Sequence, residues 1–170
     1  MLRVDLRELA QGRAVETQAE LKQDDPALEG TGIPLKEPVV VGGRLQSIGE
    51  GRFYWQGTAR TAVEGECRRC LTPLTTPLRL EIGALFTHDP DALDDPDSYA
   101  VAPDATEIDV TLAVREELVL AAPRFVVCRD DCKGLCPQCG KDLNVGPCDC
   151  EPATEARWQP LKALKDKLRS

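Results

Sequence analysis

Six of the chain's eight cysteines lie within one stretch of 23 residues, from Cys128 to Cys150. In the turn Cys136-Pro137-Gln138-Cys139-Gly140, two intervening residues fold back and the glycine accepts the conformation that follows, so both thiolates face one point. A second close pair, Cys148 and Cys150, follows after eight further residues. Four sulfurs at this spacing predict a small all-thiolate zinc site.

The preferred ligand set consists of the two closest pairs in this stretch. Its members are Cys136, Cys139, Cys148 and Cys150. No histidine or acidic residue joins them at the spacing of a metallohydrolase, and four thiolates leave no open coordination position. The sequence therefore predicts structural zinc.

Spacing alone leaves two other ligand sets open. Cys128 and Cys132 could pair with the Cys136–Cys139 turn, which would leave the Cys-x-Cys free. Alternatively, Cys67 and Cys70 could complete a site with Cys128 and Cys132. This last arrangement would use all eight cysteines in two four-thiolate sites.

The chain has 170 residues and no apolar run of about 18, so no transmembrane helix is expected. Its first residues lack the hydrophobic region of a signal peptide, which predicts a cytoplasmic protein. In that reducing compartment, clustered cysteines are metal ligands more often than disulfides.

His88 is the only histidine, and neither a phosphate-binding glycine loop nor a dinucleotide fingerprint is present. These features predict a protein that is not an enzyme and has no small-molecule substrate.

The net charge of -8 comes from one segment. Residues 87–109 carry eight acidic residues and no Lys or Arg, while the rest of the chain has equal numbers of acids and bases. The acidic residues are Asp89, Asp91, Asp94, Asp95, Asp97, Asp104, Glu107 and Asp109. Indiscriminate binding to polyanions is therefore not expected, although a local basic patch can still act at short range.

Alternation of apolar and polar residues predicts an antiparallel, barrel-like sheet. The pattern is clearest in the strands around Arg52–Val63 and Leu74–Phe86, and Gly42-Gly43 predicts a bulge or bend in the strand before them. With one short helix, a C-terminal cysteine-rich zinc-binding segment and a terminal helix, the expected fold class is α+β. Residues 1–127 would form a β-rich domain with an exposed acidic loop at 87–107 and a buried helix at 111–122, and residues 128–170 would pack on this domain.

Cys67-Arg68-Arg69-Cys70 falls between two predicted strands, at a hairpin tip. One hypothesis is that these two cysteines form a redox dithiol, but the βαβ context of a thioredoxin-like motif is missing. The two arginines are candidate contacts for RNA phosphates or a partner protein. Further candidates are basic residues of the amphipathic terminal helix, namely Lys162, Lys165, Lys167 and Arg169.

With these motifs in view, the chain resembles the YceD-type family of large ribosomal RNA subunit accumulation proteins. The resemblance spans nearly the whole chain and is most specific in residues 67–73 and 108–164. It is carried by Cys67-Arg68-Arg69-Cys70-Leu71-Thr72-Pro73, Ile108-Asp109-Val110, Val114–Leu120, Cys132–Gly140, Leu143-Asn144, Cys148-Asp149-Cys150 and Arg157–Leu164.

The resemblance implies a non-catalytic ribosome-assembly factor that supports accumulation of the large-subunit (23S) ribosomal RNA. Its expected partner is that RNA or a ribosomal protein bound to it, and no membrane is involved. Two other functions stay open: an acidic interaction module that binds a basic ribosomal protein, and a dithiol redox protein.

Overall fold

A computed structural model describes residues 2–10 and 14–150 and shows a mixed α+β protein that is mostly sheet. The strands are β1 (Arg3–Asp5), β2 (Val15–Leu21), β3 (Val39–Gly49), β4 (Arg52–Glu66), β5 (Pro73–Thr87), β6 (Ser98–Ala100) and β7 (Glu107–Asp109). The helices are α1 (Leu6–Ala10) and α2 (Thr111–Ala121), with 3-10 turns at Pro26–Leu28 and Pro90–Asp94. The predicted terminal helix lies outside the described residues.

The main sheet is open, so the predicted barrel is wrong. Its five strands follow the order β2-β3-β4-β5-β6, in which β2 and β6 are the two edges. The pairs β2–β3 and β3–β4 are antiparallel, whereas β5 and β6 run parallel. The first strand does not close the sheet either, because β1 pairs with β7 in a separate two-stranded ladder. Strand alternation predicts which faces are buried, but closure depends on partners that alternation does not specify.

The acidic segment carries more structure than a bare loop. It contains the Pro90–Asp94 turn and β6, whose Tyr99 ring stacks on Phe86 with ring centroids 5.3 Å apart. His88 donates its Nδ1–H to the carbonyl of Val101 at 2.8 Å. These apolar and hydrogen-bonding contacts join Phe86 and His88 to β6 and the residue after it, while most carboxylates of the segment are exposed.

Trp55 has the largest fully buried side chain among the described residues, and two glycines make room for its indole. A Cβ atom on Gly43 or Gly57 would lie only 2.5 Å from the ring. The indole Nε1–H donates to the hydroxyl oxygen of Thr17 at 2.9 Å, which satisfies a buried donor. Gly42 and Gly43 keep regular pairing with β4, so the predicted bulge is absent and the glycines serve packing instead.

The predicted inward face of β5 is confirmed for its second half, where four alternating residues are buried. They are Leu80, Ile82, Ala84 and Phe86. Helix α2 buries Ala113, Val114 and Leu118 but leaves Leu120 78% exposed, so only one of its faces joins the core. Among the described helices, none is both long and apolar enough to cross a membrane.

The chain divides into two compact units. One comprises Met1–Gly65 and Pro73–Val126, and therefore most of the sheet with α2. The other combines Glu66–Thr72, the link between β4 and β5, with the chain from Val127 onward. The second unit thus gathers cysteines from two distant parts of the sequence.

Candidate metal centres

All eight cysteines are free thiols, and they form two groups of four. Within each group, every sulfur lies within 4.8 Å of the others. The first quartet is Cys67, Cys70, Cys128 and Cys132. The second quartet is Cys136, Cys139, Cys148 and Cys150. Each of the two clusters could hold a metal ion.

The sulfur spacing in the first quartet fits a tetrahedral metal site. The Sγ atoms of Cys67 and Cys132 are 3.8 Å apart, and those of Cys70 and Cys128 are 3.7 Å apart. Zn–S bonds of about 2.3 Å in a tetrahedron separate the sulfurs by about 3.8 Å. A disulfide would bring its sulfurs to about 2.05 Å. The residues present therefore suit one metal ion better than two disulfides.

The hairpin tip in the first quartet is a tight knuckle. The N–H of Cys67 donates to the carbonyl of Thr72 at 2.9 Å, and the N–H of Leu71 donates back to the carbonyl of Cys67 at 2.9 Å. The Arg69 N–H points at the Cys67 sulfur, 3.4 Å away. Leu71 closes the turn with φ 59°, in the left-handed region that glycine usually occupies.

The second quartet contains the same knuckle at Cys136–Cys139. The N–H of Cys136 donates to the carbonyl of Lys141 at 2.8 Å, and the N–H of Gly140 donates to the carbonyl of Cys136 at 2.9 Å. Here the left-handed position, φ 71°, is taken by Gly140. Both Cys-x-x-Cys motifs therefore present their two sulfurs through the same pattern of backbone hydrogen bonds.

Arg69 links the hairpin tip by hydrogen bonds to the segment that carries Cys128 and Cys132. Its Nη1 donates to the carbonyls of Asp130 and Cys132, both at 2.9 Å. Its own carbonyl accepts the N–H of Leu135 at 2.9 Å. Gly134 permits this approach, because a Cβ there would lie 2.7 Å from the Arg69 carbonyl oxygen. The sequence predicts Arg69 as a surface contact, and the structure also gives it a role in building the site.

The thiols of the first quartet do not ionise equally. Burial opposes ionisation of Cys67, but hydrogen bonds from the backbone of Cys128, Cys70 and Arg69 outweigh it and lower its pKa to about 6. The hydrogen bond to Cys132, followed by burial, raises the pKa of Cys128 to about 12.

The second quartet repeats this division. Hydrogen bonds from the backbone of Cys139 and Gln138 lower the pKa of Cys136 to about 6. The hydrogen bond to Cys139 raises the pKa of Cys150 to about 12. Without metal, each quartet therefore keeps at least one thiol protonated at neutral pH. A metal ion must displace these protons when it binds, so the affinity for metal rises with pH.

One residue of the site was not anticipated from the sequence. The Nδ2 of Asn144, a residue between the two halves of the second quartet, donates to the sulfur of Cys132 in the first quartet at 3.5 Å. An asparagine in a polar loop is typical of a turn, so nothing in the sequence pattern distinguishes this role. Of the predicted contact residues, Arg68 is exposed at the hairpin tip, and the four basic residues beyond 150 lie outside the described part of the chain.

The comparison with known proteins supports the family that the cysteine motifs indicate. A family model described as "Large ribosomal RNA subunit accumulation protein YceD" matches residues 55–165, a range that holds all eight cysteines. The chain belongs to the YceD family. An uncharacterized protein of Mycobacterium tuberculosis is 34% identical to it over 121 residues, which are 69% of this chain and 58% of that protein.

Two further relatives extend the comparison. A Zea mays protein named "Large ribosomal RNA subunit accumulation protein YCED homolog 1, chloroplastic" is 28% identical over 81% of this chain and 57% of its own length. A Bacillus subtilis protein, uncharacterized, is 36% identical over 46% of each chain. The match spans less than two thirds of the length of the mycobacterial and maize proteins. No solved structure matches the chain.

Proposed function

We propose that this YceD-family chain is a non-catalytic factor of large-subunit ribosome assembly that supports accumulation of the 23S ribosomal RNA in the cytoplasm. The family description and the printed names of the plant relatives support this role. The observation that carries the non-catalytic part is the pair of four-cysteine groups. Four thiolates complete a tetrahedral site and leave no position for a substrate or an activated water.

We further propose that both quartets hold Zn²⁺. Zinc accepts four thiolates in tetrahedral geometry, and the sulfur separations of 3.7 and 3.8 Å in the first quartet suit its bond lengths. When bound, the metal supplies charge that keeps the thiolates deprotonated and links the segments that bear them. The protein residues supply the rest of the site: the two knuckles, Arg69, and the backbone N–H groups directed at the sulfurs.

The proposed contact with RNA or a ribosomal protein is made by basic side chains. Within the described residues the candidates are Arg68 and the exposed part of Arg69. The proposal also includes Lys162, Lys165, Lys167 and Arg169. A contact with a phosphate contributes affinity that falls with salt, so each lost contact reduces the salt dependence in a measurable way.

The functional test has a cellular arm. Depletion of the protein should reduce mature 23S ribosomal RNA and free large subunits in a sucrose-gradient profile, and a wild-type copy should restore both. An unchanged subunit profile after depletion contradicts the assembly role.

The contact test has an in vitro arm. Arg68→Ala should weaken binding to a large-subunit RNA transcript and reduce the log–log salt slope by about one. Arg79→Ala, at an exposed position on β5, is the matched control and should leave both quantities unchanged. Equal effects of the two variants would contradict a specific contact at the hairpin tip.

The acidic interaction module remains the second candidate, since most carboxylates of residues 87–109 are exposed. Crosslinking in cells separates the two. RNA adducts at the hairpin tip support the first function, whereas adducts from the acidic segment to a basic ribosomal protein, with none to RNA, support the second. No observation favours the dithiol redox protein, because Cys67 and Cys70 lie in one group with Cys128 and Cys132.

A further inference from the structure

Asn144 connects the two quartets physically. It lies in the loop between Cys139 and Cys148, both members of the second quartet. Its side chain nevertheless reaches the first quartet, where Nδ2 donates to the sulfur of Cys132 at 3.5 Å. A residue that lies in the chain between the ligands of one group therefore contacts a ligand of the other group.

The orientation of the Asn144 amide is fixed by its other hydrogen bonds. Its Oδ1 accepts the N–H of Lys133 at 2.8 Å and Nη2 of Arg129 at 3.0 Å. Since that oxygen faces two donors, the amide nitrogen must face the sulfur. The Nδ2 group also donates to Oδ1 of Asp142 at 2.7 Å, so its two protons have separate acceptors. The contact with Cys132 is thus part of a satisfied network.

The loop that carries Asn144 is held by backbone contacts next to the second quartet. The N–H of Leu143 donates to the carbonyl of Gly134 at 2.9 Å, and Leu135 forms a bridge with Asp142. The Asn144 N–H donates to the Asp142 carboxylate at 2.8 Å. Closure of the loop requires the sulfurs before and after it to converge, and this is what a metal ion in the second quartet would enforce.

We propose that Asn144 couples metal binding at the two quartets, so that an ion in the second quartet strengthens binding in the first. The proposal rests on the zinc assignment made above. A hydrogen bond from an N–H group to a metal-bound thiolate stabilises its negative charge and orients the ligand, and removal of such a partner typically costs about 10- to 100-fold in metal affinity. Linkage makes the effect reciprocal, so an occupied first quartet equally strengthens the second.

The test measures Zn²⁺ affinity at each site in the full chain by competition with a chromophoric chelator. Asn144→Ala should weaken binding at the first quartet by about 10- to 100-fold. Asn144→Asp keeps the shape and replaces the donor by a carboxylate, so it should weaken the site at least as much. Val145→Ala is the matched control, because the neighbouring Val145 side chain is 85% exposed, and it should change neither affinity.

A double-mutant cycle separates coupling from a local effect. Cys148→Ser with Cys150→Ser disables the second quartet and should weaken the first quartet in the wild-type background. In the Asn144→Ala background the same change should have little further effect, because the connecting donor is gone. Additive losses, or an Asn144→Ala variant that binds Zn²⁺ as the wild type does, overturn the coupling.

The outcome also distinguishes the coupling from the zinc assignment itself. A wild-type chain that binds two Zn²⁺ ions with affinities insensitive to Asn144 overturns the coupling alone. A wild-type chain that binds fewer than two ions overturns the zinc assignment and the coupling with it.

Discussion

The first quartet joins cysteines 58 and 65 positions apart, whereas the second lies entirely within 15 residues. Both use the same Cys-x-x-Cys knuckle, with matching backbone hydrogen bonds and a left-handed residue in the same place. They differ in what a metal ion would connect. In the second quartet it would close a short loop, and in the first it would tie the β4–β5 hairpin tip to a segment far along the chain.

This difference has a thermodynamic consequence, because closing a longer loop removes more conformational freedom from the unfolded chain. The loop from Cys70 to Cys128 spans 58 positions, against nine from Cys139 to Cys148. Metal binding by the unfolded chain reduces the contribution of a site to folding. In the unfolded chain, closing the longer loop costs about 1.5 kcal/mol more, so at equal native affinity the first quartet loses less of its contribution. The first quartet should therefore contribute more to the free energy of folding, although the second is easier to identify from the sequence.

The largest expected effect is the loss of one metal-dependent contribution to folding. Structural zinc sites contribute about 10 kcal/mol of apparent folding free energy. Cys132→Ser should remove most of the first-quartet contribution, and Cys148→Ser most of the second. We expect the Cys132→Ser loss to be the larger, by about 1.5 kcal/mol.

Denaturant unfolding followed by circular dichroism, with and without chelator, measures this difference. The chelated proteins are the control, because the wild type, Cys132→Ser and Cys148→Ser should have nearly equal free energies of unfolding once the metal is removed. A larger metal-dependent loss in Cys148→Ser would contradict the assignment of the long-range role to the first quartet.

An intermediate effect is expected from Arg69, whose guanidinium donates to two carbonyls beside the first quartet. Arg69→Ala should lower the free energy of unfolding of the metal-loaded protein by about 2 kcal/mol. Arg69→Lys should recover little of this, since an ammonium cannot reproduce the planar fork of the guanidinium. Lys133→Ala, a change at an exposed basic residue of the same unit, should have no effect, and a loss equal to that of Arg69→Ala would refute the positioning role.

The smallest expected effect concerns the left-handed residue of each knuckle. Gly140→Ala should destabilise the metal-loaded protein by about 1 kcal/mol, because only glycine adopts this conformation without strain. Leu71→Gly should be neutral or stabilising by up to about 1 kcal/mol, since Leu71 is 56% exposed and its removal gives up little apolar contact. Leu71→Ala is the control that removes the side chain and keeps the strain. Destabilisation by Leu71→Gly beyond that of Leu71→Ala would show that the two knuckles are not equivalent.

The sequence predicts local features of this protein better than distant ones. Period-two alternation predicts the inward face of β5. The Cys136–Cys139 turn predicts a pair of thiolate ligands, because Gly140 directly follows the second cysteine. Nothing in the sequence pattern specifies which strands lie at the sheet edges, so it predicts neither the open sheet nor the parallel pairing of β6. The packing role of Gly43 depends on Trp55, which is 12 positions away.

The same limit applies to the candidate sites. Cysteine spacing favours the second quartet as a metal site, and it leaves open whether Cys67 and Cys70 share a site with Cys128 and Cys132. The grouping of those two with Cys128 and Cys132 depends on how the hairpin tip folds, which sequence separation does not report. The Asn144 contact with Cys132 is hidden for the same reason, since its two residues belong to different quartets.

The most direct test of two four-thiolate sites is the zinc content of purified protein, measured by native mass spectrometry. The wild-type chain should carry two Zn²⁺ ions, and Cys67→Ser and Cys136→Ser should each carry one. A wild-type chain with a single ion that Cys67→Ser retains in full would contradict the account, because the first quartet would then not be a metal site.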